Sequence, residues 1–454
     1  MNTFKYQKSS KVYILLICAL VVWVVNGQLE KRLVEKRDVA SLNETPLTFV
    51  TVSGDHFLVD GKRYTYLGTN LWQAMNLGSK GPGGDRARLE RELDRLKKLG
   101  VKNLRIVAAS EGPDTEPGRI VPSTQPNPGK FDSNLLEGLD FVLAEMAKRD
   151  MRAILVTNNF WSWSGGMAQY VAWSTQTKIP YPAPIGTASW DQFMEYSSRF
   201  YSDKKALGLA NTALKNLVLR VNKITGLPYA DDPTIMSWEL ANEPRGMKNT
   251  SDFNRWILDT AKLIKSLDPH HLVTTGSEGT LPNSGIEIVP NHIGKNIDYV
   301  TTHIWAQNFG WYDPGLPASY TTAVQKMKDH LDLQIADTQK LKKPLVLEEF
   351  GFSRDKNSYD PASPVKLRDK FYGEILSQTL AKAQRHLAIT GVNFWAWAGE
   401  ARPPTNRSDH LWKVGDPFLG DPPHEAQGWY SIYDADASTL EVIRKFAADF
   451  AAVQ

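Results

Sequence analysis

Short apolar runs alternate with longer amphipathic stretches through most of the chain. Eight of the runs are typical of strands, and most are apolar without strict alternation, as expected of parallel strands buried on both faces. The eight are YTYLGTN ending at Asn70, NLRIVAA from Asn103, MRAILVTNN from Met151, TIMSWELANEP from Thr234, LVTTG from Leu272, IDYVTTHIW from Ile297, PLVLEEFG from Pro344 and GVNFWAWAG from Gly391. Helical patterns separate them, such as DRARLERELDRLKKLG from Asp85, which carries leucines at helical spacing.

Eight strand–helix units predict an α/β fold of the (β/α)8 or TIM barrel type. A doubly wound open sheet would also alternate strands and helices, but eight units within residues 38–454 favour closure. A β-hairpin is predicted in front of the barrel, with strands near residues 57–59 and 63–68 and a turn at Asp60-Gly61.

The predicted links between elements differ in length at the two ends of the barrel. Links from a helix to the next strand are short, such as residues 100–103, whereas links after strands are long and rich in Pro, Gly and aromatic residues. The long links are residues 110–130, 160–187 and 402–423. Barrel enzymes carry their active site on the loops that follow the strands, so we expect the site at that end.

The N-terminus has the pattern of a secretory signal, predicted over residues 1–27. Three lysines precede an apolar run at residues 12–25, which is shorter than the roughly 20 residues that a membrane-spanning helix needs. The alternative is an uncleaved anchor. Two dibasic pairs predict a trimmed propeptide at residues 28–37, and no linker or repeat divides residues 38–454, which we interpret as one catalytic domain.

The amino-acid composition limits the classes of function that the chain can have. Hydrophobic residues make up 42% of the 454 positions and charged residues 23%, which is typical of a soluble globular enzyme. Without residues 1–37 the chain has 46 basic and 48 acidic residues, a balance that argues against a nucleic-acid partner. The single cysteine, Cys18, lies in the predicted signal, which excludes disulfides and thiol chemistry from the mature protein. Glycosylation acceptor patterns begin at Asn43, Asn249 and Asn406.

Carboxylates stand where two predicted strands end. Glu243 lies in WELANEP and the pair Glu348-Glu349 in VLEEFG, at the fourth and seventh strands. Two such carboxylates can divide the work of glycosidic bond cleavage, one as protonated acid and one as ionised nucleophile. A structural ion pair is the alternative. Arg105 lies within an apolar strand, where burial requires a carboxylate partner, and its charge would lower the pKa of a neighbouring Glu.

Several segments together resemble glycoside hydrolase family 5, and specifically its endo-β-1,4-mannanases. Their order and spacing carry the resemblance through most of the mature chain. The segments are GTNLW at Gly68, NLRI at Asn103, VTNNFWSWSGGMAQYVAW at Val156, DDPTIMSWELANEPRG at Asp231, TTGSEG at Thr274, THIWAQNFGW at Thr302, KPLVLEEFG at Lys343, GVNFWAW at Gly391 and QGWYSIYDADASTLEVI at Gln427.

The resemblance implies a retaining double displacement with Glu243 as acid/base and Glu349 as nucleophile. The sequence pattern alone does not choose between Glu348 and Glu349, because both faces of the strand are buried. The resemblance also implies that Asn242 binds the 2-hydroxyl of the attacked sugar, that Arg105 holds Glu349, and that His303 lies beside the pair.

Further substrate contacts are expected from the same resemblance at Asn159, Trp161 and Arg245, the last on the leaving-group side. Trp395 is expected to stack under the cleaved sugar. Family members often carry a Tyr that bonds the nucleophile where this chain has Trp305, and indole donates but cannot accept hydrogen bonds.

These features predict a secreted, monomeric endo-β-1,4-mannanase that needs no cofactor or metal and takes polysaccharide β-mannan as its partner, with no nucleic acid and no membrane. An endo-β-1,4-glucanase of the same family is the first alternative, and a non-catalytic mannan-binding barrel is the second. HExxH, P-loop and G-x-S-x-G patterns do not occur in the chain.

Overall fold

The computed structural model describes residues 47–453. The predicted signal at residues 1–27, the predicted propeptide at 28–37, the first residues of the predicted domain and the acceptor pattern at Asn43 lie outside the described residues. Within residues 47–453, no helix is long and apolar enough to cross a membrane.

A small antiparallel sheet opens the described chain. Its strands are β1 (Thr51–Ser53), β2 (His56–Val59) and β3 (Lys62–Tyr64), paired in that order. The turn between β2 and β3 is at Asp60-Gly61, as predicted, and both residues have the positive φ values, 52° and 72°, that a tight two-residue turn needs. The predicted second strand at 63–68 is wrong in extent, because the chain leaves this sheet after Tyr64 and enters the barrel at Tyr66.

Eight parallel strands form the barrel, which confirms the predicted fold. They are β4 (Tyr66–Asn70), β5 (Asn103–Val107), β6 (Arg152–Val156), β7 (Ile235–Glu239), β8 (Leu272–Thr274), β9 (Val300–Ile304), β10 (Leu345–Phe350) and β11 (Ile389–Phe394). The first and last, β4 and β11, pair directly. Where β8 and β9 leave a gap in the strand pairing, backbone hydrogen bonds from Asp298 to Val273 (2.8 Å) and from His303 to Glu278 (3.2 Å) bridge it.

Helices follow the strands and cover the outside of the barrel. They are α1 (Ala74–Gly78), α2 (Arg86–Lys98), α3 (Ser133–Ala147), α4 (Gly166–Thr175), α5 (Trp190–Ser198), α6 (Lys204–Val218), α7 (Thr250–Leu267), α8 (Ile288–His292), α9 (Ser319–Leu341), α10 (Lys366–Gln384) and α11 (Ala437–Ala451). Two short strands, β12 (Trp397–Gly399) and β13 (Ile432–Tyr433), pair beside the last loop.

Helix α2 shows how the sequence produces these elements. Asp85 caps its N-terminus by accepting a hydrogen bond from the Arg88 backbone N–H. Its leucines at 89, 93 and 96 are fully buried against the barrel, as their spacing predicts. The predicted loop at residues 160–187 is wrong in part, because it contains α4. Residues 166–171 of this helix are all buried, so its sequence lacks the one-sided apolar spacing that indicates a surface helix.

The two ends of the barrel differ in polarity. At the end where the strands begin, an apolar cluster joins Phe57 of the small sheet to Tyr66, Met236 and Val346 at the starts of barrel strands. This end is therefore packed shut by side chains. The polar and aromatic residues discussed below gather at the opposite end, where the long loops lie.

Candidate active site

The loop after β7 presents Glu243 to the mouth of the barrel. Glu243 lies four residues beyond the strand end and has φ = 50°, a left-handed conformation that is unfavourable for a residue with a side chain. Two backbone hydrogen bonds hold the loop there, from Asn242 to Asn158 and from Glu243 to Gly276, each 2.9 Å. Neighbouring loops thus stabilise a strained conformation, which is a common feature of functional residues.

Strand β10 carries both Glu348 and Glu349 into the barrel because it contains a β-bulge. Its register against β9 passes from Leu347 opposite Thr302 to Glu349 opposite His303, so Glu348 is an extra residue. Adjacent residues of a regular strand point to opposite faces. Here both carboxylates lie within ion-pair distance of Arg105.

The carboxylates of Glu243 and Glu349 face each other across a short gap. An oxygen of one lies within 4.8 Å of an oxygen of the other, with His303 beside both. Retaining glycosidases hold their two carboxyl groups about 5–5.5 Å apart, whereas inverting enzymes need about 6.5–9.5 Å to admit a water. The spacing therefore fits direct attack by one carboxylate on the sugar.

Arg105 organises the base of the site from strand β5. It donates two hydrogen bonds to Glu239, at 2.9 and 2.5 Å, and one each to Asn70 (3.0 Å), Asn242 (2.8 Å) and Glu349. One guanidinium thus fixes the expected nucleophile and the expected 2-hydroxyl ligand relative to each other.

Burial and hydrogen bonding affect which carboxyl group of the Glu243–Glu349 pair carries a proton. Burial raises the pKa of both Glu243 and Glu349, and a positive charge opposes this rise at each of them, Arg245 most strongly at Glu243 and Arg105 at Glu349. Two carboxylates this close in a buried site do not both ionise, so they hold one proton between them. Glu349 receives a direct hydrogen bond from a cation, whereas the groups that hydrogen-bond Glu243 are neutral, namely the indoles of Trp161 and Trp305 and the imidazole of His303. A direct hydrogen bond from a cation stabilises the ionised form, so this difference favours the proton on Glu243 and the charge on Glu349.

His303 is neutral beside this pair. Burial, together with the charge of Arg105, lowers its pKa to about 3. Its Nδ1 lies 2.8 Å from Oε1 of Glu243 and 3.4 Å from Oε2 of Glu349. With Glu243 protonated, its O–H donates to the lone pair of Nδ1, which leaves the imidazole proton on Nε2.

Trp161→Phe tests the electrostatics of Glu243. The indole N–H donates to Oε2 of Glu243 and lowers its pKa, because the hydrogen bond stabilises the ionised form. Removing it raises that pKa, so the basic limb of the pH profile of kcat/KM, where the acid loses its proton, should move to higher pH. Trp173→Phe, which changes an indole packed on Tyr170 instead, is the control and should leave the limb in place. A shift to lower pH would contradict the assignment of Glu243 as the acid.

A cavity of about 800 Å³ opens over the pair, within the range of about 300–1,000 Å³ usual for ligand sites. Aromatic side chains dominate its wall. The indoles that line it are Trp161, Trp163, Trp190, Trp305, Trp395 and Trp429. Sugars place their C–H faces on such rings, so the wall suits a carbohydrate.

Five of the substrate-binding residues predicted from the sequence line the cavity with the two glutamates: Trp161, Asn242, Arg245, Trp305 and Trp395. The indole N–H of Trp395 is buried and has no hydrogen-bond partner among residues 47–453. Trp305 packs on Trp395 at 5.8 Å between ring centres.

Arg245 and Asn159 both form hydrogen bonds to other residues of the site. Arg245 forms a double hydrogen bond with Glu278, both at 2.7 Å, and lies 4.8 Å from the ring of Trp161. Asn159 is fully buried behind Asn242 and accepts hydrogen bonds from the Asn242 amide (3.2 Å) and the Trp161 backbone (3.0 Å). It supports the cavity wall rather than forming it.

Glu243, His303 and Glu349 also offer three ligand atoms close enough to hold a metal ion. Carboxylate and imidazole are ligands for several divalent cations. A cation there would lie against the Arg105 guanidinium, which already donates to Glu349. The site is thus electrostatically better suited to a neutral sugar than to an ion.

Among the residues that the sequence interpretation missed, four carry carboxyl or imidazole groups into the site or its support. Glu239 and Glu278 pair with the two arginines, and alternation along WELANEP could have indicated Glu239, which is four residues before Glu243. His424 and Glu425 line the cavity from the last long loop. Burial raises the pKa of Glu425, and its buried Oε2 has no hydrogen-bond partner in the part of the chain that the structure describes. The Pro-rich loop has no periodicity that could have indicated either residue.

The family model for "GH family 5 beta-mannosidase-like" proteins matches residues 47–454. The chain belongs to this group of glycoside hydrolase family 5. The predicted resemblance is confirmed, and the enzyme is a glycosidase. The retaining mechanism, which is general in the family, agrees with the short distance between the two carboxylates.

Relatives of the family 5 enzyme include plant and fungal proteins. It is 30% identical over 364 residues to mannan endo-1,4-beta-mannosidase 5 of Solanum lycopersicum, covering 76% of this chain and 80% of that one. It is 31% identical to putative mannan endo-1,4-beta-mannosidase 9 of Oryza sativa subsp. japonica, covering 76% and 81%. The crystal structure of a family 5 mannosidase from Rhizomucor miehei is similar with a TM-score of 0.83 at 37% identity, covering 90% and 99%.

Proposed function

We propose that this enzyme hydrolyses internal β-1,4-mannosidic bonds of mannan, glucomannan or galactomannan, with retention of configuration. The observation that carries the proposal is the Glu243–Glu349 pair, within 4.8 Å and unequally hydrogen-bonded, at the base of an indole-lined cavity. The names of the relatives from Solanum lycopersicum and Oryza sativa support the choice of sugar and of internal bonds. A variant of the Rhizomucor mannosidase was solved with mannosyl-fructose.

The first step forms a covalent glycosyl-enzyme. Glu349 attacks the anomeric carbon while Glu243 gives its proton to the departing glycosidic oxygen, so that the bond to the leaving sugar breaks as the ester forms. Glu243 then removes a proton from water, which attacks the same carbon and releases Glu349.

Asn242 is placed to assist both steps. Its amide nitrogen donates one N–H to Asn159 and keeps a second for the 2-hydroxyl of the bound sugar, while Arg105 holds its Oδ1. A hydrogen bond to that hydroxyl strengthens as the ring flattens in the transition state.

Product analysis of mannohexaose cleaved in heavy-oxygen water tests the proposal. We expect oligosaccharides from internal cleavage, label only at the new reducing ends, and the β-anomer as the first product. Release of mannose alone from one chain end would overturn the internal-bond part, and the α-anomer as first product would overturn the retaining mechanism.

Initial rates on mannan and on soluble cellulose decide the sugar. We expect faster cleavage of mannan, and equal or faster cleavage of cellulose would replace the proposal by the endo-glucanase alternative. A wild-type protein that binds mannan without releasing reducing ends would favour the binding module.

Trp190→Ala tests whether the polysaccharide extends along the Glu243 side of the cavity. Trp190 is 46% exposed, lines the cavity and packs against Trp161, which itself bonds Glu243. Losing one stacking ring should raise KM for mannohexaose about 2- to 10-fold, from an aromatic contact worth about 0.5–1.5 kcal/mol.

The same substitution should leave kcat for short substrates nearly unaltered. Trp173→Ala, outside the cavity, is the control and should leave KM as it is. An unaltered KM for mannohexaose in Trp190→Ala would place the extended sugar chain elsewhere.

We also propose secretion with removal of residues 1–37, on the strength of the apolar run and the dibasic pairs. N-terminal sequencing of enzyme recovered from the medium should begin at Asp38. Enzyme that stays in the membrane fraction would favour the uncleaved anchor.

A further inference from the structure

The carboxyl group of Glu348 has no use in the mechanism above, although it is next to the nucleophile in the chain. It is fully buried, and no N–H or O–H group of residues 47–453 donates a hydrogen bond to either of its oxygens. Its Oε2 lies 3.7 Å from Nε of Arg105 and 3.9 Å from Nε2 of His303, both beyond hydrogen-bonding distance.

Arg105 has no donor to spare for Glu348. A guanidinium has five N–H groups, and those of Arg105 go to Glu239, Asn70, Asn242 and Glu349, with two for Glu239. An ionised Glu348 would therefore be a buried charge without a hydrogen bond, which is strongly unfavourable.

As a neutral acid, the same group finds a partner. Its Oε2 faces Nε of Arg105 and Nε2 of His303, so the acid proton is on Oε1. Glu239 and Glu348 lie beside the same guanidinium, at 2.5 and 3.7 Å from Arg105, and a hydrogen bond between the two carboxyl groups raises the pKa of Glu348. Glu239 can accept this bond through a second lone pair.

We propose that Glu348 is a protonated carboxylic acid at the pH of catalysis, donates its hydrogen bond to Glu239, and thereby acts as a positioning residue for Arg105 and the nucleophile. The inference rests on the proposed function for its role in turnover, but not for the protonation state itself. A neutral Glu348 does not compete for the N–H groups of Arg105. The guanidinium therefore pairs with two carboxylates, Glu239 and Glu349, and keeps its hydrogen bond to the nucleophile.

The surroundings of Glu348 agree with a neutral group. Burial raises its pKa well above the ordinary value, Glu239 and Glu349 raise it further, and Arg105 opposes them. Titratable groups approach it from four strands or strand ends. They are Tyr66, Arg105, Glu239, His303, Tyr299 and the neighbouring Glu349. The cation among them is Arg105, whose five donors are all occupied.

Infrared difference spectroscopy measures the protonation state without any substrate. At neutral pH, wild type minus Glu348→Gln should show the carbonyl stretch of a protonated carboxylic acid, which the variant has lost. Wild type minus Glu400→Gln is the control and should show loss of a carboxylate band instead, because hydrogen bonds from Arg91 and Arg95 lower the pKa of Glu400 to about 2. A carboxylate band lost in Glu348→Gln would overturn the proposal.

Kinetics separate positioning from simple packing. Gln can still donate to Glu239, so Glu348→Gln should lower kcat less than about tenfold, the scale of one altered hydrogen bond. Met fills similar space without a donor, so Glu348→Met should lower kcat about 100-fold through a displaced Arg105. Equal losses in the two variants would mean that Glu348 only fills space.

The acidic limb of kcat/KM gives an independent check on the charge. Removing a negative charge beside Glu349 would lower the pKa of the nucleophile and move this limb to lower pH. Because we expect Glu348 to be neutral already, the limb should stay in place in Glu348→Gln. A shift to lower pH would contradict the proposal.

Neutron diffraction from wild-type crystals covers the case in which the variants do not fold. Nuclear density for a deuteron on the Glu348 carboxyl group, directed at Glu239, is the expected result, and its absence would overturn the assignment. Neither spectroscopy nor diffraction uses mannan, so a different substrate would refute the proposed function and leave this inference standing.

Discussion

Glu349→Gln should lower kcat on the order of a million-fold, the scale seen when an enzyme loses a nucleophile on which its other catalytic groups depend. Gln has nearly the size of Glu and can still contact Arg105, but its amide cannot form the glycosyl ester. The loss should fall on kcat, since the indole-lined cavity that binds the sugar is retained. Reducing-end release from mannan measures the rate, and binding of mannohexaose measures what remains.

Glu348→Gln is the matched control for this variant. It makes the same substitution one residue earlier on the same strand, and both carboxylates lie near Arg105. We expect it to remain active, as argued above. If Glu348→Gln were inactive and Glu349→Gln active, the nucleophile would be Glu348 and the assignment from the family would be wrong.

Glu243→Gln should lower kcat on mannan about 100- to 10,000-fold, the usual contribution of a general acid or base. Most of this loss in kcat should occur with leaving groups that need to be protonated. An aryl mannoside whose phenol needs no protonation should still form the glycosyl-enzyme, which then accumulates because no base activates water. A rapid burst of phenol followed by slow turnover is the expected signature.

Azide distinguishes a missing base from a damaged site. It attacks without losing a proton, so it should restore turnover of Glu243→Gln and yield mannosyl azide of β configuration. Glu425→Gln, which changes another carboxyl group of the same cavity, should show neither burst nor azide rescue. Rescue of both variants, or of neither, would remove Glu243 from the acid/base role.

Local patterns were sufficient to predict the barrel. Each barrel strand is an apolar run that is buried on both faces, and helix α2 begins at its capping Asp85 with buried leucines at helical spacing. The predicted ends of some strands were wrong where tertiary packing, and not the local sequence pattern, sets the end of the strand. Tyr64 and Tyr66 belong to one continuous run in the sequence, yet they end up in two different sheets.

The candidate site divides in the same way. The spacing of Glu243 and Glu349 and the unfavourable burial of an unpaired Arg105 were accessible from residues and family resemblance. Only some of the hydrogen bonds of Arg105 were predicted from the sequence. Its hydrogen bond to Glu349 was expected, whereas its two hydrogen bonds to Glu239 were not. Which acceptors an arginine binds depends on the side chains that the fold places around it, and the pattern of a single strand does not contain that information.

The order of residues thus specified the fold class, the end of the barrel that bears the site, and the chemical types gathered there, because periodicity and strand ends are local properties. The inward aim of both Glu348 and Glu349 came from a bulge in the pairing of β9 with β10. The entry of His424 and Glu425 into the cavity came from the path of an irregular loop. Both depend on contacts between segments far apart in the chain, which is why they required the folded structure.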